Sequence, residues 1–536
     1  MCCVFGILFI FLGNLAGNSV SFGINVLIAA GKDPIYDKEH NYYKGQVIGF
    51  AIAVPTICVA LHMFSRKGGI LINNVFAVTK VGILLTIILL GWIHASGKLQ
   101  STGINEKPKA STSQNVTITS QNVTITSDMI NSASKTNFDT SRSFHVESND
   151  FSTVVQALLY AIYPYTGFEQ PFYVLSEVRK PRRIFPSATI GAMVLTTILY
   201  MLVNISYFCV VPAETYTLVP SNTIDMAGTF FHYLFDTSNP SDPRIGRRVI
   251  AALKAFSVLG NTFVLTYTAA RVKQEIAKEG IIPFSLFFAT GHTTILAKLG
   301  SLLSSNPAKG SPLRRSSNAS IDLDKHLEQS PMAALGLQWV TSVLLVALTS
   351  MCQPKVAYSF LVGLYSYSIV AVLGMLTAGG LLYLKFDSYF YGPDGRRWYD
   401  KCAWPETGTW VRKVSGLYAL VYFLVMAFLL FASFVPSPPG SSFSQAVQGY
   451  SPYLVSGIGL SSVTWGVIWW AGLMWREWKG RWMLKARRTP YVEPDGDGGW
   501  VQRVEVVDHE RVRRPDGLRR RMFEMDRLNR GEGTSV

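Results

Sequence analysis

Apolar windows of membrane-crossing length alternate along the chain with short segments in which the polar residues gather. A helix needs about 20 mostly apolar residues to cover the roughly 30 Å of hydrocarbon in a bilayer. About ten such windows can be read: 2–30, 44–64, 70–94, 151–176, 186–212, 249–270, 332–352, 357–384, 413–435 and 450–475. The stretch 281–297 is shorter and holds Pro283, Gly291, His292, Thr293 and Thr294, so it reads as an interfacial element on one face of the membrane. The pattern predicts an all-α polytopic membrane protein, with residues 1–475 as the transmembrane domain and 476–536 as a basic tail.

Composition agrees with the pattern. Of 536 residues, 49% are hydrophobic and 15% charged, against about 25% charged in a typical soluble domain. A soluble multidomain protein is excluded. The six cysteines show no metal-ligand spacing and no disulfide framework.

The net charge of +15 changes the picture by fixing orientation. With both termini cytosolic, most Lys and Arg fall on the inner side. They include Arg66-Lys67, the run from Arg179 to Arg183, Arg314-Arg315 in a cytosolic linker over 271–330, Arg396-Arg397, and the tail from Arg476 onward. The charge is then an orientation signal, and no nucleic-acid partner is needed to explain it. The same orientation puts the polar segment 96–150 outside, where SQNVTIT occurs twice in tandem over 113–126. Asn115 and Asn122 each sit in an N-x-T sequon and are glycosylation candidates there.

The first window has no basic stretch before it and no clear cleavage site after it, so it reads as a span and not as a signal peptide. Trp465, Trp469, Trp470 and Trp475 lead into Trp478 and Trp482 among Arg476, Lys479, Arg481 and Lys485. That is an interfacial belt entering a basic stretch suited to anionic lipid heads.

Enzyme signatures are missing: the chain has no HExxH, no GxSxG, no P-loop and no carboxylate pair within a span. No cofactor or metal is expected. Two intramembrane features carry information instead. The window 151–176 contains Pro164, Gly167 and Pro171 within eight residues, with Glu169 among them. Each proline removes a backbone donor and clashes with the preceding turn, so the helix must break there. Broken backbone at membrane depth lines a cavity or is buried in protein, and half-helices of this kind hold substrates in many secondary transporters. A plain proline kink is the blander alternative.

The second feature is Lys80, about ten residues into its window. At that depth a lysine must face a partner or a wet cavity, and it is a candidate for proton exchange. A structural cation bonded to the backbone of a broken helix is the competing reading. Lys254, nearer the outer end of its window, is expected to snorkel.

The run from Tyr165 to Val178, followed by Arg179-Lys180-Pro181-Arg182-Arg183-Ile184-Phe185-Pro186, resembles the sixth helix and following loop of amino acid permeases. These belong to the amino acid–polyamine–organocation superfamily, and the resemblance is to its L-type transporters and fungal methionine-permease-like members. Thr268 to Arg271 with Lys278 to Pro283 resembles the end of the eighth helix, and Ser330 to Leu335 the start of the ninth.

The resemblance implies a fold of two inverted five-helix repeats plus two more helices. It implies that Tyr163 is an aromatic gate, that Tyr165, Thr166 and Gly167 face the amino acid's amino and carboxyl groups, and that Phe168 shapes the side-chain pocket. Glu169, in the same break, is counted with them as substrate-binding, and Lys80, the candidate coupling residue, matches a lysine that proton-coupled or uncoupled members carry in the fifth helix in place of a sodium ion, which is compatible with exchange as well as with proton coupling. The implied function is uptake of a neutral L-amino acid by alternating access, coupled to protons, in the plasma membrane. The rival is a non-transporting sensor or scaffold.

The sequence departs from the family at its start. The first window, with Gly13 to Ser19, resembles the third helix of the family. The first two helices, with their Gly-rich break, have no counterpart here. A truncated gene model is the expectation, and an inactive permease is the alternative. The loop 31–43 carries no Cys, so no covalent heavy-chain partner is expected.

Overall fold

The computed structural model describes residues 2–13, 16–32, 43–98, 127–139, 165–177, 181–213, 225–235, 245–296, 329–390, 409–435, 453–480, 482–494 and 500–513, with Val154, Leu158, Ala161, Thr215 and Leu299. Asn115, Asn122 and Tyr163, most of the loop 96–150 and much of the linker 271–330 lie outside them.

Helices dominate. In chain order they are α1 (Cys2–Leu12), α2 (Ala16–Ala29), α3 (Lys44–Phe64), α4 (Arg66–Ala95), α5 (Ser127–Asn137), α6 (Pro181–Val210), α7 (Met226–Phe235), α8 (Ile245–Lys278) and α9 (Ser285–Ala289). After them come α10 (Met332–Thr349), α11 (Pro354–Tyr365), a π-helical turn (Ser366–Val372), α12 (Leu373–Phe390), α13 (Thr409–Ala432) and α14 (Tyr453–Gly480). Among the described residues, 8 spans are long and apolar enough to cross a membrane, and Gly416–Ala432 is a shorter apolar helix. Those nine regions coincide with nine of the expected windows. The tenth, 151–176, is described mainly from Tyr165 onward.

Packing explains why the apolar residues form two kinds of surface. α8 runs through the middle of the bundle, with Phe263, Ala270 and Ala277 buried, and it packs against α2, α3, α7 and α10. Outward faces remain apolar instead of turning polar: Val78 of α4 is 75% exposed and Ile190 of α6 is 64% exposed. A soluble protein would bury such residues, whereas lipid solvates them. Where α2 meets α3, a Cβ on Gly23 would lie 2.7 Å from the carbonyl oxygen of Val47, so only glycine permits that approach.

Several polar groups between helices are paired. Lys254, expected to snorkel, forms an ion pair through its ammonium with Asp225, just before α7. Lys273 of α8 is fully buried and donates to Thr341 Oγ1 of α10 at 2.6 Å. Arg248 Nε donates to the Ala29 carbonyl at 3.2 Å, tying α8 to the end of α2.

Two small β elements modify the all-α expectation. His292–Thr293 (β1) pairs antiparallel with Gln329–Ser330 (β2), and bounds the interfacial element formed with α9. Beyond α14, Trp482–Pro494 (β3) and Trp500–Arg513 (β4) form an antiparallel ribbon, in register from Trp482↔Arg513 to Pro494↔Trp500 with an irregularity at Tyr491/Val492. The ribbon is attached to the bundle through His509. Its Nε2 donates to the Lys278 carbonyl at 3.0 Å, and in that tautomer Nδ1 accepts from Ser285 Oγ at 3.0 Å.

Candidate functional site

The break expected between Pro164 and Pro171 is present. Gly167 adopts φ +101°, a backbone region open to glycine and strained for other residues. After it the chain continues as a 3-10 helix, Gln170–Glu177, with Val174 at non-helical angles (φ −113°, ψ 18°). The turn is closed by its own neighbours. Gly167 N–H donates to Glu169 Oε2 at 3.0 Å, and Gln170 N–H donates to the Gly167 carbonyl at 3.0 Å. Gln170 Nε2 donates to Glu169 Oε1 at 3.1 Å. Gln170 Oε1 in turn accepts from Thr268 Oγ1 of α8 at 2.6 Å, which fastens the break to the central helix.

A cavity of about 730 Å³ opens beside this turn. Thr166, Gly167, Gln170, Pro171 and Val174 supply one wall, and Asn261, Phe263, Tyr267 and Thr268 of α8 supply another. Asn18 of α2, His62 of α3, Arg66, Gly69 and Asn73 of α4, and Tyr365 complete the lining. The size suits a small organic molecule.

His62 is held in place: its Nε2 donates to the Phe263 carbonyl at 2.9 Å, and its ring stacks on Phe263 with centroids 4.1 Å apart. The Arg271 guanidinium sits 5.6 Å over the Tyr267 ring. The lining combines amide, hydroxyl and cationic groups with aromatic faces, and among the described residues it includes no carboxylate. It can hydrogen-bond and charge-pair with a small polar molecule while an apolar part rests on Phe263, Tyr267 and Tyr365.

The expected site residues divide. Thr166 and Gly167 line the cavity. Tyr165, Phe168 and Glu169 do not. Tyr165 packs edge-on against Tyr200 of α6 at 5.8 Å, Phe168 is 39% exposed, and Glu169 turns back to cap Gly167. Lys80 does not line the cavity either, but its ammonium donates to Asn261 Oδ1, and Asn261 does.

Sequence reasoning passed over Gln170, Thr268, Asn261, His62 and Arg66. The available signal was polarity at membrane depth, such as His62 in the apolar run of α3 and Asn261 in that of α8. Among the described residues no group of His, Cys, Asp and Glu could hold a metal ion.

The model of the family described as amino acid permease matches residues 1–461. The chain belongs to that family. This permease-family chain is 28% identical to the high-affinity methionine permease of Saccharomyces cerevisiae, over 54% of its own length and 42% of the relative's. It is 26% identical to solute carrier family 7 member 13 of Homo sapiens, over 40% of this chain and 45% of that one. With the b(0,+)-type amino acid transporter 1 of Oryctolagus cuniculus it shares 30% identity, over 27% of each chain. The chain thus spans less than half the length of these relatives. Family membership and the apolar helices make it an integral membrane protein.

Proposed function

We propose that the chain carries neutral L-amino acids across a membrane by alternating access, with uptake coupled to protons. The observation that carries this reading is the broken segment. Thr166 and Gly167 line a cavity of about 730 Å³ in the bundle, and helix breaks beside such cavities hold substrates in many secondary transporters. The methionine permease among the relatives, named for its substrate, supports an amino acid with an apolar side chain.

Lys80 is the coupling group in this reading, acting on the cavity wall through Asn261. Importing one proton down about 100 mV supplies roughly 2.3 kcal/mol. A pH difference of one unit adds about 1.36 kcal/mol. Together they support accumulation on the order of a few hundredfold. Both termini cytosolic, residence in the plasma membrane and contact of the basic tail with anionic lipids belong to the same proposal, supported by the distribution of Lys and Arg.

The test is uptake of labelled methionine and leucine at pH 5 and pH 7.5 in a transport-deficient cell expressing the chain. Uptake that rises at pH 5 and loses its pH dependence in Lys80→Ala is the expected result. Uptake indifferent to pH and to Lys80→Ala would overturn the coupling. Surface expression without uptake of any amino acid would favour the sensor or scaffold.

A further inference from the structure

Beside the broken segment lies a second, smaller chamber that shares Gln170, Leu265 and Tyr365 with the main cavity. The centre of a water molecule can range over about 20 Å³ of the chamber, so there is room for at least one bound water. Its polar lining comes from Ser19, Gln170, Thr262, Thr266, Gln338 and Ser342, all of them buried.

The threonines and Gln338 present acceptors to that lining, beside the hydroxyls of Ser19, Ser342 and Tyr365. The Thr262 hydroxyl donates to the Val258 carbonyl at 3.0 Å, and the Thr266 hydroxyl donates to the Thr262 carbonyl at 2.7 Å. Each threonine has spent its proton and keeps oxygen lone pairs. Gln338 Nε2 donates to Ser342 Oγ at 3.4 Å. Gln338 Oε1 has no hydrogen-bond partner among the described residues, although the side chain is 4% exposed. An amide oxygen buried without a partner is destabilising.

Buried oxygens with lone pairs to spare call for a small donor. Among the described residues no carboxylate lines the chamber, and an uncompensated buried charge is costly, so a cation is disfavoured.

We propose that the chamber is a built hydration site. One water molecule donates to Gln338 Oε1 and to a threonine hydroxyl oxygen, and so ties α10 to α8 beside the break. Gln170 belongs to the walls of both this chamber and the main cavity. The inference does not depend on transport, because it concerns how the bundle is held together.

The experiment compares melting temperatures of the detergent-solubilised full chain as wild type, Ser342→Ala and Gln338→Leu. Ser342→Ala removes only the amide–hydroxyl bond, whereas Gln338→Leu also removes the acceptor that anchors the water. A hydrated chamber makes Gln338→Leu melt several degrees below Ser342→Ala. A dry chamber makes it melt at or above Ser342→Ala, since an orphaned acceptor has been deleted, and that result overturns the proposal.

Should neither variant fold, a cryo-EM map of the wild-type chain decides. A peak within hydrogen-bond reach of Gln338 Oε1 is expected, and an empty chamber in a map that shows other buried waters refutes it. Replacing sodium chloride with choline chloride should leave the wild-type melting temperature unchanged. A sodium-dependent rise would overturn the water in favour of a cation.

Discussion

Glu169 shows what a single residue's position does and does not reveal. A carboxylate between two prolines at membrane depth reads as substrate-binding, yet its oxygens accept from Gly167 N–H and Gln170 Nε2. Hydropathy locates the break because proline and glycine act locally. The direction of the carboxylate depends on the φ of +101° at Gly167, which a string of residue types does not encode. Partners distant in sequence are equally hidden: Lys80 meets Asn261 across 181 positions. If Glu169 is a cap, its charge is dispensable but its oxygens are not. Glu169→Gln, which keeps one oxygen for Gly167, should retain most labelled methionine uptake. Glu169→Ala should lose several-fold and lower the melting temperature. Equal loss in both variants would return the carboxylate to the substrate.

At the scale of elements, the apolar windows were legible because lipid imposes length and hydropathy on every spanning helix. The ribbon β3–β4 was not read, although its signal was there. Two segments with β-branched and aromatic residues, Trp482 to Pro494 and Trp500 to Arg513, flank Asp495-Gly496-Asp497-Gly498-Gly499, a strong turn composition. The basic charge drew attention to a lipid-facing tail instead.

The contact between α8 and α10 carries its own prediction. Thr341 Oγ1 accepts from the fully buried Lys273, and a buried polar group left without its partner costs about 1–3 kcal/mol. Thr341→Val should therefore lower thermal stability by roughly that amount, and Thr341→Ser should restore most of it. Melting curves of the purified variants check this. No change with valine would mean that the ammonium finds another partner.

For the whole molecule, the membrane sidedness rests on charge and on the sequons. Asn115 and Asn122 lie outside the described residues, so chemistry has to test them. In a eukaryotic host, glycosidase treatment should increase the gel mobility of the wild-type chain, and of each single Asn→Gln variant by a smaller step. The double variant should not shift. A wild type that never shifts would contradict the outer placement of 96–150.

α8 is held along its full length: to Ala29 and Asp225 near its start, to Lys80 and Gln170 in the middle, and to Thr341 and His509 toward its end. Local opening is easiest where few contacts resist it. In deuterium exchange, the amides of α8 should be the last in the bundle to acquire label, while α9 and the ribbon exchange early. On the proposed alternating-access reading, a helix so fastened would be the stator: other helices would pivot around it, and the energy to move them need not be spent on moving the axis itself.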